Sequence, residues 1–301
     1  MEKRRQITWL VAVLGIVILF AGIFFYSERG DAWRVSDDGL LEYPTPAPEY
    51  RFLSSEDAGD SILYEVSFSS RGSEVAGLLR IPEAQPQQPE GVPGVVLLPG
   101  ATVTKEQEQG LAELLSGLGY ASIALDQRNM GGVDIQGDLK TFLDGEEPTE
   151  HKMVHDALAA AEVLRMQPEI DPSRIVYVGE SNGGRFAIIA SALDPKSRGV
   201  IAISTCGYGV EEEINYLRMN GPETVRFFRS IDPETYLKEI PPRRFVMIHS
   251  TNDTLISFDS ARRTYEKALE PKAMHVVGCT THGRCGEMDP YIEEEMARMV
   301  S

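Results

Sequence analysis

The chain has 301 residues, 42% of them hydrophobic, which is enough for one large core or two modest ones. Its 46 acidic and 29 basic side chains leave a formal net charge of −17, with Lys3, Arg4 and Arg5 grouped at the front. Such a chain lacks the basic footprint that nucleic acid requires, and its balance weighs against strongly anionic substrates and lipids. Three cysteines, Cys206, Cys279 and Cys285, are too few for a disulfide scaffold and leave room for one bridge and one free thiol.

The run from Ile7 to Tyr26 carries no charge. As a helix it would span roughly 30 Å, the thickness of a bilayer core. Trp9 and Tyr26 stand near its ends, where amphipathic rings favour the interface. The basic cluster before it predicts a single-pass anchor over residues 1–27, with the N-terminus cytoplasmic and the rest outside. A cleaved signal peptide is the competing reading, but no small-x-small site precedes Glu28. Residues 28–60, with Pro44, Pro46 and Pro48, read as an extended stalk.

From Ser61 the pattern is regular. Residues 62–70 and 74–82 read as two strands joined at Arg71-Gly72-Ser73, and 94–100 as a strand buried on both faces. Leu111, Leu114, Leu115 and Leu118 fall on one side of a helix, and a strand follows at 120–126. A helix over 151–166, strands near 174–178, 199–205, 243–250 and 272–278, and helices over 258–269 and 288–300 complete the alternation. The expected fold is α/β: a mostly parallel sheet with helices on both faces and an antiparallel hairpin at one edge. Sites in such sheets form beyond the carboxyl ends of the strands.

The segment Val178-Gly179-Glu180-Ser181-Asn182-Gly183-Gly184 interrupts a strand-to-helix transition. Small flanking residues let a tight turn hold Ser181 outward, and the Asn182 N–H at the helix start becomes a donor for an oxyanion. A glycine-rich turn with an incidental serine is the bland alternative. Serine needs a base, and the order Ser, acid, His suits this architecture. Of five histidines, His282 alone follows Ser181 and lies in a loop beyond a strand end. Asp253, in the loop after the penultimate strand, is the candidate acid; an Asx turn is its bland reading and Asp259 the fallback. The turn Pro99-Gly100 offers the Ala101 N–H as second oxyanion donor, with Thr102 beside it.

With these residues in view, the sequence resembles the α/β-hydrolase superfamily over residues 61–301. It looks closest to dienelactone-hydrolase-like and acyl-peptidase-like esterases, on the segments around Pro99-Gly100, Asp126–Gly132, Gly179–Gly184, His249–Ser257 and Thr280–Arg284. The resemblance implies a Ser181–His282–Asp253 triad, an oxyanion hole from Ala101 and Asn182, and no cofactor or metal. Two departures touch the site walls: Pro99 stands where many relatives have histidine, and Asn129 where they have glycine. Relatives insert a cap in the interval 207–242, so Tyr208, Tyr216, Leu217, Met219, Phe227 and Phe228 are candidates to line the substrate pocket or to pack the cap. Thr102, Tyr208, Phe227 and Phe228 are the substrate-binding residues expected. Cys279 and Cys285 bracket His282 and can be bridged outside the cytoplasm, stiffening the loop of the base, or stand as two thiols. A zinc site there would lack a fourth ligand and consume the base. The expected activity is hydrolysis of small to medium acyl esters by a membrane-anchored serine hydrolase. A serine peptidase or acyl-aminoacyl hydrolase with the same residues, or a non-catalytic binding protein, is the alternative.

Overall fold

The computed structural model describes residues 33–83, 91–217 and 221–301. The anchor expected at 7–26 lies outside them, and no helix among the described residues is long and apolar enough to cross a membrane. Strands β1 (Arg34–Val35) and β2 (Leu41–Glu42) form a small ribbon. The main sheet contains β3 (Tyr50–Asp57), β4 (Ser61–Ser70), β5 (Ser73–Pro82), β6 (Val92–Leu98), β7 (Ala121–Leu125), β8 (Ile170–Glu180), β9 (Gly199–Ile203), β10 (Arg244–Ser250) and β11 (Lys272–Val277). Its order is β11-β10-β9-β8-β6-β7-β5-β4-β3. Neighbours from β11 to β7 run parallel, and β5, β4 and β3 add antiparallel pairs at one edge.

Helices α1 (Gln109–Gly117), α2 (Ile135–Leu143), α3 (Thr149–Arg165), α4 (Asn182–Leu193), α5 (Val210–Leu217), α6 (Pro222–Ile231), α7 (Phe258–Lys267) and α8 (Asp289–Val300) surround it. Every residue of β6, β7 and β9 is buried, as parallel strands covered on both faces must be. One core layer joins the sheet to α3 and α4 through Val96, Tyr177, Leu164 and Ile188. The other joins it to α1 and α8 through Leu97, Val178, Leu115 and Ile292. Burial of this apolar surface is the main favourable term for the fold.

The stalk expected over 28–60 is corrected by these contacts. From Trp33 onward the chain is folded against the body: Leu41 is 1% exposed and its N–H donates to Tyr236 Oη at 3.0 Å. Tyr43 Oη donates to His151 O at 2.8 Å, and β3 pairs along β4. The prolines do extend the chain, but the residues before them anchor it to the flank of α3. The expected cap is also revised. Helix α6 packs along α2, α3 and β1, because its apolar face finds Phe142 and His151.

Candidate active site

Strand β8 ends at Glu180 and α4 begins at Asn182, so Ser181 occupies the single turn residue between them. Its backbone is held at φ 52°, ψ −119°, a sparsely populated conformation for a residue with a side chain. The glycines permit it. A Cβ on Gly179 would overlap the Gly183 carbonyl, and one on Gly183 would overlap the carbonyls of Leu98 and Pro99. A Cβ on Gly184 would stand 2.8 Å from Thr205 Cγ2. The strained turn is tied from the next strand: Ser181 N donates to Ile203 O at 2.9 Å, and Thr205 Oγ1 donates to Ser181 O at 2.7 Å.

His282, in the loop after β11, lies with Nε2 2.8 Å from Ser181 Oγ. Its Nδ1 lies 2.8 Å from Asp253 Oδ2. The other carboxylate oxygen, Oδ1, accepts the N–H groups of Leu255 (2.9 Å) and Ile256 (3.0 Å). Burial raises the Asp253 pKa, but these hydrogen bonds and His282 outweigh it, so the carboxyl sits below its ordinary value and is ionised at neutral pH. An ionised carboxylate at Nδ1 leaves the proton there and the lone pair on Nε2, facing the serine hydroxyl. His249 packs behind Asp253: its Nε2 donates to Ile256 O at 2.9 Å, and burial lowers its pKa so that the ring is neutral.

The loop bearing His282 is fixed at several points. Cys279 and Cys285 are joined by a disulfide, with six residues of separation. Glu180 Oε2 accepts the Arg284 N–H at 2.8 Å, Ser204 Oγ donates to Gly283 O at 3.3 Å, and Ser250 Oγ donates to Cys279 O. Glu180 and neighbouring Glu108 are both buried carboxyls with raised pKa. Burial and the charge of Glu180 push Glu108 up to about 8. Cys206 is free and buried.

The first oxyanion donor, Asn182 N–H, opens α4, and the second candidate, Ala101 N–H, follows Gly100. A Cβ on Gly100 would be 3.3 Å from that of Ser181, so this loop runs beside the nucleophile. Neither N–H has a hydrogen-bond partner among the described residues. The loop is braced by residues 127–131. Gln127 Nε2 donates to Pro99 O, Thr102 N donates to Met130 O at 2.7 Å, and Asn182 Nδ2 donates to Gly131 O at 2.9 Å. Asn129 (φ 49°) and Met130 (φ 51°) adopt left-handed backbone in that brace, a conformation that asparagine tolerates better than most residues with a side chain.

Thr102 is exposed on this loop, and Tyr208 is half-buried in the loop after β9. Phe227 is not brought to the site. It is fully buried in the core against Phe142 and Phe228, and Phe228 packs beside it. Its helix was amphipathic in the sequence, but its apolar face is spent on α2 and α3. Asp259 is exposed in α7 and pairs with Arg262 at 3.3 Å, away from His282. The sequence reading missed Arg185, one helical turn after Ser181. Its Nη1 donates to Asn182 Oδ1 at 2.5 Å, its Nε donates to Cys206 O at 2.9 Å, and it stacks 4.3 Å from the Tyr208 ring centroid. The i, i+4 spacing from the serine was the available signal.

A turn-held serine, a base, an acid and two free N–H groups at the carboxyl ends of a parallel sheet define a serine hydrolase of the α/β-hydrolase class. The family model for acetyl xylan esterase (AXE1) matches residues 37–240, and the chain belongs to that family. Acetyl xylan esterase 1 from Thermoanaerobacterium sp. JW/SL YS485 superposes with a TM-score of 0.66 at 18% identity, over 85% of this chain and 89% of that one. A glucuronoyl esterase from Solibacter usitatus does so at 0.65 and 13% identity, over 86% and 88%. These two likenesses speak to the fold. Among curated proteins, the uncharacterized protein Rv2307c of Mycobacterium tuberculosis is 33% identical over 186 residues, 62% of this chain and 57% of that protein. The uncharacterized protein YfhR of Escherichia coli O157:H7 is 25% identical over 132 residues, 43% of this chain and 45% of its own. The aligned region thus spans 57% of the first relative's length and less than half of the second's.

Proposed function

We propose that the protein hydrolyses carboxylic esters of small acyl groups, with Ser181 as nucleophile, His282 as base and Asp253 as its orienting acid. The observation that carries this reading is the unbroken chain Ser181 Oγ–His282–Asp253, both links 2.8 Å. In the first half-reaction His282 Nε2 takes the hydroxyl proton as Ser181 Oγ bonds to the ester carbonyl carbon. The carbonyl oxygen becomes an oxyanion that accepts from the Asn182 and Ala101 N–H groups. His282 then gives its proton to the departing alkoxide, leaving an acyl-serine. A water deprotonated by the same ring attacks the acyl carbon and releases the acid, and Ser181 recovers its proton. The family's name favours acetyl and similarly short acyl groups. The uncharged run at Ile7–Tyr26 and the basic residues before it support tethering to a membrane with the catalytic domain outside.

The test is turnover of 4-nitrophenyl esters from acetate to octanoate by the full chain in detergent. Short chains are expected to be preferred, and Ser181→Ala is expected to remove activity by about 10^4-fold or more. Equal turnover by Ser181→Ala rejects the reading. Alkaline phosphatase fused after Ser301 should be active on the outer side, and inactive fusions would reject the orientation.

A further inference from the structure

Arg185 is an exception among the interior arginines. Arg165 and Arg71 each meet a carboxylate, and Arg243 spends its guanidinium on the carbonyls of Ser191, Asp194, Ala192 and Glu239. Among the described residues Arg185 has no carboxylate within ion-pair distance. Of its five N–H groups, one goes to Cys206 O and one to Asn182 Oδ1, and Nη2 has only Cys206 Sγ at 4.0 Å. Two further groups close to it lack partners. Tyr208, whose ring carries the guanidinium, has a buried hydroxyl that lies near Arg185 but makes no hydrogen bond of good geometry among the described residues. Glu150, at the start of α3 and 2% exposed, has a buried Oε1 with no partner among those residues. Buried polar atoms are nearly always satisfied, so two unsatisfied ones near a single cation need a cause.

Their chemistry is uniform. Burial, with Asp138 nearby, pushes the Glu150 carboxyl up to about 8 against the opposing charge of Arg185, so at neutral pH it is an O–H donor. Tyr208 Oη is likewise protonated, its pKa pushed up by burial. A cation with donors to spare and two hydroxyl donors without an acceptor form a receptor for an acceptor-only group of one negative charge. We propose that Arg185, Tyr208 and Glu150 form a subsite for a carboxylate carried by the ester substrate. The subsite adjoins the nucleophile, since Arg185 is bonded to Asn182, the residue next to Ser181. The overall charge of −17 weighs against polyanions, yet a single carboxylate reaching a lone guanidinium is stabilised locally where screening by water is weak. The inference rests on the esterase reading for its substrate, but its binding arm can be tested without turnover.

The experiment uses the full chain in detergent at pH 7. Glutarate, with glutaramide as the neutral control, is titrated while the melting temperature is followed. Glutarate should raise the melting temperature of the wild type, with glutaramide inert, and Tyr208→Phe and Arg185→Gln should each abolish the shift. In kinetics, kcat/KM for a carboxylated ester should exceed that of its neutral counterpart at least tenfold. The pairs are 4-nitrophenyl hemiglutarate against valerate for a carboxylate on the acyl side, and 3-acetoxybenzoate against phenyl acetate for one on the leaving group. Preference in either pair identifies the side, and Tyr208→Phe should reduce it at least fivefold. No glutarate-specific shift in the wild type, or a shift indifferent to both substitutions, overturns the subsite. Loss of turnover on all esters with the glutarate shift intact would instead strike the esterase reading.

Discussion

Asp253 and His282 meet at 2.8 Å across 29 residues of sequence, and the meeting is fixed from the carboxylate side. Two backbone N–H groups already occupy Oδ1, so only Oδ2 is left for the ring. Asp253→Asn would keep Oδ1 as the acceptor and turn an amide N–H₂ toward Nδ1. The imidazole would then be driven to the tautomer with its proton on Nε2, where it cannot accept from Ser181. A fall in kcat of roughly 10^4-fold with KM nearly unchanged is expected. Steady-state kinetics decide it, and a loss smaller than tenfold would remove Asp253 from the mechanism.

The disulfide between Cys279 and Cys285 closes the loop that carries His282. Closing so short a loop limits the unfolded chain by about 2 kcal/mol in the chain-entropy account. Here the same restriction also acts on the folded loop. Cys279→Ser with Cys285→Ser, or reduction of the wild type, should lower kcat at least fivefold while the far-ultraviolet spectrum stays native. Unchanged kcat after thiol titration has shown full reduction would mean that Glu180, Ser204 and Ser250 hold the loop unaided.

Gly183 packs against the carbonyls of Leu98 and Pro99, which are backbone atoms and cannot swing aside. Gly183→Ala must push β6 away from α4 or break the turn at Ser181. A destabilisation of at least about 3 kcal/mol is expected, at the upper end of overpacking costs. Gly117→Ala, where nothing lies within 4 Å of the new methyl, is the control and should be neutral or slightly stabilising. Urea melts that place the two variants level would contradict the close approach.

Glu150 titrates at about 8 in the folded protein against an ordinary value of 4.5. Between these limits the folded state retains a proton that the unfolded state has released, so stability falls as pH rises through this window. The loss is up to about 1.4 kcal/mol per pH unit. Below pH 4.5 the group contributes no such penalty. Glu150→Gln should therefore flatten the decline between pH 5 and 8, leaving the share owed to Glu108. Parallel stability–pH curves for the variant and the wild type would show that Glu150 is ionised throughout.

Strong local patterns made much of this molecule readable. The all-apolar runs of β6 and β9 could only be strands buried on both faces, and the glycines at 179, 183 and 184 could only serve a tight turn. Ser181, Asp253 and His282 were picked out because strand ends gather residues that are far apart in sequence. Strand β3 escaped because its side chains are exposed and its charges break any alternation. Helix α2 escaped because Gly137 and Asp138 weaken its pattern, although Asp134 caps it through the Gly137 N–H. Phe227 was misassigned for a different reason. An amphipathic helix states that one face seeks apolar company, and the company itself is decided by tertiary packing. Arg185 was passed over because a charge on a helix ordinarily faces water, and its spacing from Ser181 gains meaning only once the structure shows it without a carboxylate partner among the described residues.

Strand β3 stands at the outer margin of the nine-stranded sheet, with its register broken between Phe52 and Ser54. An edge of free peptide groups invites a second sheet to dock alongside and grow into a fibre. The extra residue, Leu53, spoils the spacing such a partner would need. An incoming strand could align with Ser54–Asp57 for four residues before losing step, and there it would confront Glu56 and Asp57. The irregularity thus acts as a fence: along this margin the sheet offers newcomers no continuous rail to join.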